Sequence, residues 1–252
     1  MRIDILTLFP EIFQNFLDTS IVGRAKNNGI VEVNCINIRD FSKDKHKRVD
    51  DYSFGGGPGM VISPEPVFNA IMSAKSERCK TIYLSPKGRT YKQQVANELS
   101  SEEHIILLCG HYEGIDNRIM ENYIDDEISI GDYVLTGGEI AAMVVVDSIV
   151  RLLPGALNNQ ESFTDESHYN GLLEYPHYTR PRIFNGFEVP EVLLSGNHSK
   201  IEEWRKYQSL KVTYERRPDL LKEAKLNKTE QGMLNTIINN KNFNQIENKN
   251  KL

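Results

Sequence analysis

Four segments of the sequence combine glycine with polar or charged residues at a density that ligand-binding turns need. The first, Gly55-Gly56-Gly57-Pro58-Gly59, follows a charged stretch containing Lys43, Lys45, His46, Lys47 and Arg48. Clustered glycines let a ligand approach the backbone closely. They do not form GxxxxGK[ST], which excludes a Walker-type phosphate loop. Taken alone the segment reads as a flexible surface loop; its functional reading is an RNA-facing loop. The second segment, Cys109-Gly110-His111-Tyr112-Glu113-Gly114-Ile115-Asp116, directly follows the apolar run 105–109. Glu113 and Asp116 can accept hydrogen bonds from amines or hydroxyls. The third, Ile130-Gly131-Asp132-Tyr133-Val134-Leu135-Thr136-Gly137-Gly138-Glu139, leads into a long apolar stretch. Backbone groups exposed around its glycines can read an adenine edge, with Val134 and Leu135 packing on a base. The fourth is the polar stretch 158–175, where Asp165 and Glu166 stand beside Ser167, with Arg151 shortly before it. A carboxylate delivered by such a loop can serve as a general base, and an arginine can face developing negative charge.

These turns need a scaffold, and the apolar pattern supplies one. Candidate strands fall at 3–9, 31–38, 81–85, 105–109 and 127–130, several of them apolar on both faces, as a parallel sheet covered by helices requires. Candidate helices fall between them at 11–17, 64–74, 93–99 and 139–153. The second opens Ser63-Pro64-Glu65, with a serine cap, proline at the first helical position and an acid in the first turn. Strands alternating with helices predict an α/β domain. The glycine turns then fall at the carboxyl ends of strands, where open α/β sheets bind ligands. Apolar periodicity disappears at 158–175 and resumes in a smaller helical segment. There Ser199-Lys200-Ile201-Glu202 reads as a capping box opening a helix to about residue 210, and a further helix begins near Thr229. The expected organisation is a domain at 1–157, a linker at 158–175, a helical domain at 176–238 and a disordered, Asn- and Lys-rich tail at 239–252.

Composition bounds the function. With 39% hydrophobic and 26% charged residues the chain is an ordinary globular sequence, and no apolar run approaches the roughly 20 residues that span a bilayer. The start of the sequence carries no signal-peptide pattern, so a cytoplasmic protein is expected. Three widely spaced cysteines, Cys35, Cys79 and Cys109, fit reduced core thiols. No CxxC or HExxH motif marks a metal site. No GxGxxG precedes a helix, so the dinucleotide and Rossmann methyltransferase classes fail. The net charge of −5 argues weakly against nucleic acid as a partner, but net charge is blind to patches. Lys200, Arg205, Lys206, Lys211, Arg216 and Arg217 cluster around Trp204 and Tyr207, with Trp204 read as an anchor for its helix rather than a base-stacking platform.

The segments 55–60, 83–86, 110–116 and 130–139, together with Pro-His-Tyr-Thr-Arg-Pro at 176–181 and Leu-Leu-Ser-Gly-Asn-His at 193–198, resemble the bacterial tRNA (guanine-N1)-methyltransferases of the TrmD type. The resemblance runs from the N-terminus to about residue 221. It implies a SPOUT fold: an α/β domain with a mostly parallel sheet and a deep trefoil knot, plus a small helical C-terminal domain. It also implies S-adenosyl-L-methionine held among the knot loops, a homodimer with its active site between subunits, and as substrate the guanine immediately 3′ of the anticodon in tRNA (position 37 of the tRNA). DNA and membranes are not expected partners.

Carried over position by position, the resemblance places donor-binding residues at Tyr83, Leu84, Pro86, Gly110, Tyr112, Glu113, Ile130, Gly131, Asp132, Tyr133, Val134, Leu135, Gly137 and Gly138. Arg151 falls on the family's catalytic arginine. Counting forward from Pro154, Glu166 occupies the family's catalytic aspartate position, one methylene longer, with Asp165 as the neighbouring alternative. His111 stands where some members carry arginine. The implied reaction removes the guanine N1 proton with the carboxylate, stabilises charge on O6 with Arg151, and transfers a methyl group in line. Mg²⁺ is a possible assistant, though no carboxylate cluster identifies a site. Two rivals remain: an RNA-binding protein that kept the fold without the chemistry, and a related knotted methyltransferase acting on a ribose 2′-hydroxyl.

Overall fold

The computed structural model describes residues 1–157, 167 and 171–249, with side chains up to residue 240. The chain divides into two compact units, Met1–Gln160 and Glu161–Leu252.

The first unit is built on five parallel strands: β1 (Arg2–Thr7), β2 (Glu32–Asn37), β5 (Lys80–Thr90), β6 (His104–Cys109) and β7 (Asp126–Ser129), in the order β2-β1-β6-β5-β7. β6 is buried along its whole length, as a central parallel strand must be when helices cover both faces. Alternation sorts the core into two layers. Ile3, Ile5, Ile105 and Leu107 pack on one face with Ala142, Val145, Val146 and Ile149 of helix α6 (Glu139–Val150); Leu6, Ile106 and Leu108 pack on the other with Val67, Ala70 and Ile71 of α3 (Pro64–Ala74). Helices α1 (Gln14–Asp18), α2 (Ser20–Asn27), α4 (Gln93–Ser100) and α5 (Asn117–Tyr123) complete the layers, and a short antiparallel pair, β3 (Asp50–Asp51) and β4 (Val61–Ile62), frames the glycine-rich loop.

Several expectations are adjusted. The helix expected at 11–17 is a 3₁₀ turn, Pro10–Phe13, leading into α1. α2 and α5 were not expected. Asp116, read as a possible ligand acceptor, instead caps α5: its carboxylate accepts from the Arg118 amide at 2.9 Å and pairs with the Arg118 guanidinium at 2.7 Å. β5 continues to Thr90, five residues further than expected, because residues 85–88 swing out and the strand then resumes. Leu84 and Arg89 both stand opposite Ile128 on β7.

At the amino end of the sheet a polar cluster is buried. The Asp4 carboxylate accepts from Asn34 Nδ2 at 3.0 Å and His104 Nε2 at 2.9 Å, and pairs with Arg2 at 2.8 Å; the other His104 ring nitrogen meets Ser76 Oγ at 2.8 Å. The three cysteines are free thiols, and burial pushes Cys109 well above and Cys35 up to about 11.

The second unit contains a short hairpin of β8 (Ile183–Phe184) and β9 (Phe187–Glu188), then α7 (His198–Arg216) and α8 (Lys228–Lys249). Asn197, not Ser199, caps α7, its side chain accepting from the Lys200 amide, and the helix runs six residues past the expected end. The reciprocal box lies on α8: Asn227 accepts from the Glu230 amide at 3.0 Å while Glu230 accepts from the Asn227 amide at 2.8 Å. α8 runs on as far as Lys249, through residues whose composition predicts no order; once a helix is nucleated, each further residue adds a hydrogen bond at little cost. Among the described residues no helix is long and apolar enough to cross a membrane.

Candidate active site

A cavity of about 370 Å³ opens outside the carboxyl ends of β5, β6 and β7, within the size range of small-molecule sites. Three chain segments wall it. The first is the excursion of β5. It can leave and rejoin the sheet because Gly88 lies on the β7 backbone, where a Cβ would sit 2.4 Å from the Glu127 carbonyl carbon. Ser85 Oγ accepts from the Lys87 amide at 3.0 Å and donates to Glu127 at 2.5 Å, which fixes the shape of the excursion.

The second wall is the turn after β6. Tyr112 there adopts φ +56°, a left-handed conformation that costs a residue with a Cβ of order 1 kcal/mol and concentrates at functional sites. The turn is clipped to the end of the glycine-rich loop: the Glu113 amide donates to Met60 O at 3.0 Å and the Ile62 amide to Gly114 O at 2.9 Å. The third wall is the turn between β7 and α6. Its Gly138 amide donates to Gly110 O at 2.9 Å, and a Cβ on Gly138 would lie 2.7 Å from Cys109 Cα; only glycine lets the second and third walls meet so closely. Glu139 then starts α6 with its carboxylate buried, accepting from Thr7 Oγ1 at 2.7 Å. That acid at a helix N-terminus is favourably placed and ties α6 to the carboxyl end of β1.

Thirteen of the fourteen residues expected to bind the donor line this cavity: Tyr83, Leu84, Pro86, Gly110, Tyr112, Glu113, Ile130, Gly131, Tyr133, Val134, Leu135, Gly137 and Gly138. Asp132 does not; it is exposed at the tip of its turn. Lining residues that the motifs did not single out include Glu127 and Ser129 at the end of β7, and Met120 of α5. The strand pattern at 127–130 was the available signal, since alternate residues at a strand's carboxyl end face its ligand side.

Polar groups around the cavity are partly unsatisfied. Burial, and then the charge of Glu127, pushes the Tyr83 phenol up to about 12. His111 also lines the cavity, packs against Phe9 and Tyr112, and its Nδ1 is buried with no hydrogen-bond partner among the described residues. The glycine turns, apolar Leu84, Val134 and Leu135, half-buried Glu127 and exposed Glu113 together suit a nucleoside bearing a charged tail. Among the described residues no group of three or more His, Cys, Asp or Glu could hold a metal ion.

The expected catalytic residues are placed differently. Arg151 caps the far end of α6, and thirteen residue steps put it about 20 Å along the axis from Gly138. It is not among the cavity's lining residues. Asp165 and Glu166 lie outside the described residues. In the second unit, three of the six basic residues near Trp204 are engaged locally: Arg205 with Glu202 at 2.7 Å and over the Tyr175 ring, Lys206 with Glu230 at 2.9 Å, and Arg217 with Asp219 at 2.6 Å. Trp204 is half-buried and tilted against Tyr178.

Comparison with known proteins matches this arrangement to one family. The family described as tRNA (Guanine-1)-methyltransferase TrmD matches residues 1–223. Proteins named tRNA (guanine-N(1)-)-methyltransferase from Alkaliphilus metalliredigens, Ruminiclostridium cellulolyticum and Clostridioides difficile are 59%, 60% and 58% identical to this chain over 235, 223 and 228 residues. These matches cover 91%, 87% and 89% of this chain, and 95%, 96% and 99% of the relatives. With a family match over most of its length and relatives at this identity, the chain belongs to the tRNA (guanine-1)-methyltransferase TrmD family.

Proposed function

We propose that this chain is a methyltransferase that uses S-adenosyl-L-methionine to methylate N1 of the guanine immediately 3′ of the anticodon in tRNA. Family membership supports the reaction class. The observation that carries the donor assignment is the cavity at the carboxyl ends of β5, β6 and β7, walled by glycine turns that let a ligand approach the backbone closely. Bound there, S-adenosyl-L-methionine supplies an electrophilic methyl on a positively charged sulfur.

The residues divide the work. The glycine turns at 110–114 and 130–138 hold the adenosyl portion through backbone groups, with Val134 and Leu135 packing on the ring. Guanine N1 carries a proton at neutral pH and is a poor nucleophile until it is lost. The base is Glu166, or Asp165 beside it, accepting that proton. Arg151 donates toward O6, where negative charge grows as the proton leaves. Since Arg151 stands a helix length from the cavity of its own chain, it serves the cavity of a second copy, in a homodimer. The excursion of β5, and Gly138 lying on the Cys109–Gly110 backbone, support a knotted SPOUT arrangement of these loops. The first unit holds the donor and carries Arg151, and the second carries the base and holds the RNA, with Lys200, Lys211 and Arg216 available for phosphates. The target lies in an anticodon loop, where splaying and stacking of unpaired bases replace groove reading. A cytoplasmic enzyme follows from that substrate. No step is assigned to Mg²⁺.

The test is methyl transfer from labelled donor to a tRNA transcript, followed by nucleoside analysis. Label on guanine N1 is expected. Label on a ribose points to the 2′-hydroxyl alternative, and RNA binding without label points to a protein that lost the chemistry; either overturns the proposal. Arg151→Ala slows single-turnover transfer far more than it weakens donor binding. Of Glu166→Gln and Asp165→Asn, the variant with the larger rate loss marks the base.

A further inference from the structure

Two adjacent acids on β7 are treated in opposite ways. Asp126 points to the side where Arg89 and Lys80 pair with it, at 2.9 and 3.6 Å. Glu127, one residue on, faces the cavity, as strand alternation requires. Among the described residues no lysine, arginine or histidine forms an ion pair with it. One of its oxygens is held by the Ser85 hydroxyl at 2.5 Å, and Ser85 is itself oriented by the Lys87 amide. Glu127 is opposite Tyr83 in the strand register, and its charge adds to the burial that raises the Tyr83 phenol. Glu113, the other carboxylate on the wall, likewise has no ion-pair partner among the described residues, while the one lining lysine, Lys87, is exposed. Glu113 is exposed, whereas a half-buried carboxylate such as Glu127 without a counter-charge is costly, and a cationic ligand relieves that cost.

We infer that Glu127 makes the cavity selective for charge: its carboxylate favours a positively charged sulfonium ligand over the neutral thioether that remains once the methyl group has left. This role rests on the cavity being the donor site. It gives Glu127 a function in turnover as well as in binding, because the attraction that holds the donor disappears when the methyl group departs, and the product leaves more readily.

Calorimetric titration of the intact protein tests this with three ligands: S-adenosylmethionine, its amine analogue sinefungin, and S-adenosylhomocysteine, which lacks the charge at that position. The wild type binds the two cationic ligands about tenfold more tightly than the thioether, or about 1.4 kcal/mol. Glu127→Gln collapses that gap and leaves thioether affinity unchanged; Glu127→Asp, which keeps the charge, keeps the gap. A gap that persists in Glu127→Gln, or an equal loss for all three ligands, overturns the inference. So does a wild type that binds all three equally, a result that needs no variant to fold. If the wild type binds none of them, the donor assignment fails, and the role of Glu127 fails with it.

Discussion

The two ends of the central sheet handle buried polarity in opposite ways. At the amino end, Asp4 is fully buried and accepts from Arg2, Asn34 and His104, while Ser76 meets the remaining His104 nitrogen. Every charged group of that cluster finds its partner within the chain, although the Thr81 hydroxyl at the same level of the sheet is buried without one among the described residues. At the carboxyl end, Glu113 and Glu127 have no counter-ion and His111 Nδ1 has no hydrogen bond among the described residues, and the backbone is held in a left-handed conformation at Tyr112. An unsatisfied buried polar atom such as His111 Nδ1 costs about 1–3 kcal/mol, and the half-buried Glu127 carboxylate without a counter-ion adds to that cost; a ligand that pairs with them relieves it. Paired charge belongs to stability, unpaired charge to binding.

That contrast can be broken experimentally, most visibly at the amino end. Asp4→Ala leaves Arg2 and His104 facing an empty buried site and should cost about 3–5 kcal/mol in urea unfolding, while folded protein binds the donor normally. Weakened donor binding with little loss of stability would reverse the contrast. At the opposite end, Gly138→Ala drives a Cβ into the Cys109 backbone. About 1–3 kcal/mol of strain is expected, together with at least tenfold weaker donor binding by calorimetry, because the second and third walls are pushed apart.

A smaller effect comes from pH. The Tyr83 phenol ionises near its ordinary value of 10.0 when unfolded and only at about 12 when folded. Between those values unfolding releases a proton that the folded protein retains, so stability falls as pH rises from about 10 to 12. Tyr91, raised to about 12 by burial against a partly offsetting bond to Ser148, contributes a similar fall. Tyr83→Phe should remove its own share, about 1–2 kcal/mol by pH 12, in chemical unfolding measured across that range. A slope equal to the wild type would mean the cavity floor is wetter than its burial indicates. The smallest effect is expected away from both ends: Asp18→Ala, which removes an exposed pair with Lys26, should shift unfolding by no more than about 0.5 kcal/mol.

Much of this architecture is legible in the residues, unevenly and for physical reasons. β6 carries an unbroken apolar run, β1 and β2 set β-branched residues among polar ones, and α3 announces its start with Ser63-Pro64-Glu65; it begins at Pro64 although Ser63 makes no side-chain capping bond. The glycine turns at strand ends point to the cavity from the sequence alone, because glycine density reports where backbone approaches backbone or ligand. Elements set by tertiary context were harder to read. Ser85-Pro86-Lys87-Gly88 looks like the end of a strand, and only pairing with β7 on both sides makes it an excursion within one. α2 carries Gly23 in its interior, which lowers helix propensity, and Asp116 gives no sign in sequence of whether its carboxylate faces a ligand or the Arg118 amide. The charge of Glu127 was plain, but its lack of a counter-ion depends on Arg89 and Lys80 both lying on the opposite face.

The doubled pairing of β5 has a mechanical consequence. Because the strand is stitched to β7 before and after residues 85–88, that side of the cavity cannot swing away without unzipping the sheet at two places. Any adjustment of the cavity to what it binds must therefore fall to the turns at 110–114 and 130–138. These two are joined to each other through the Gly138 amide and Gly110 carbonyl, so they must yield together, as paired jaws set against one fixed anvil.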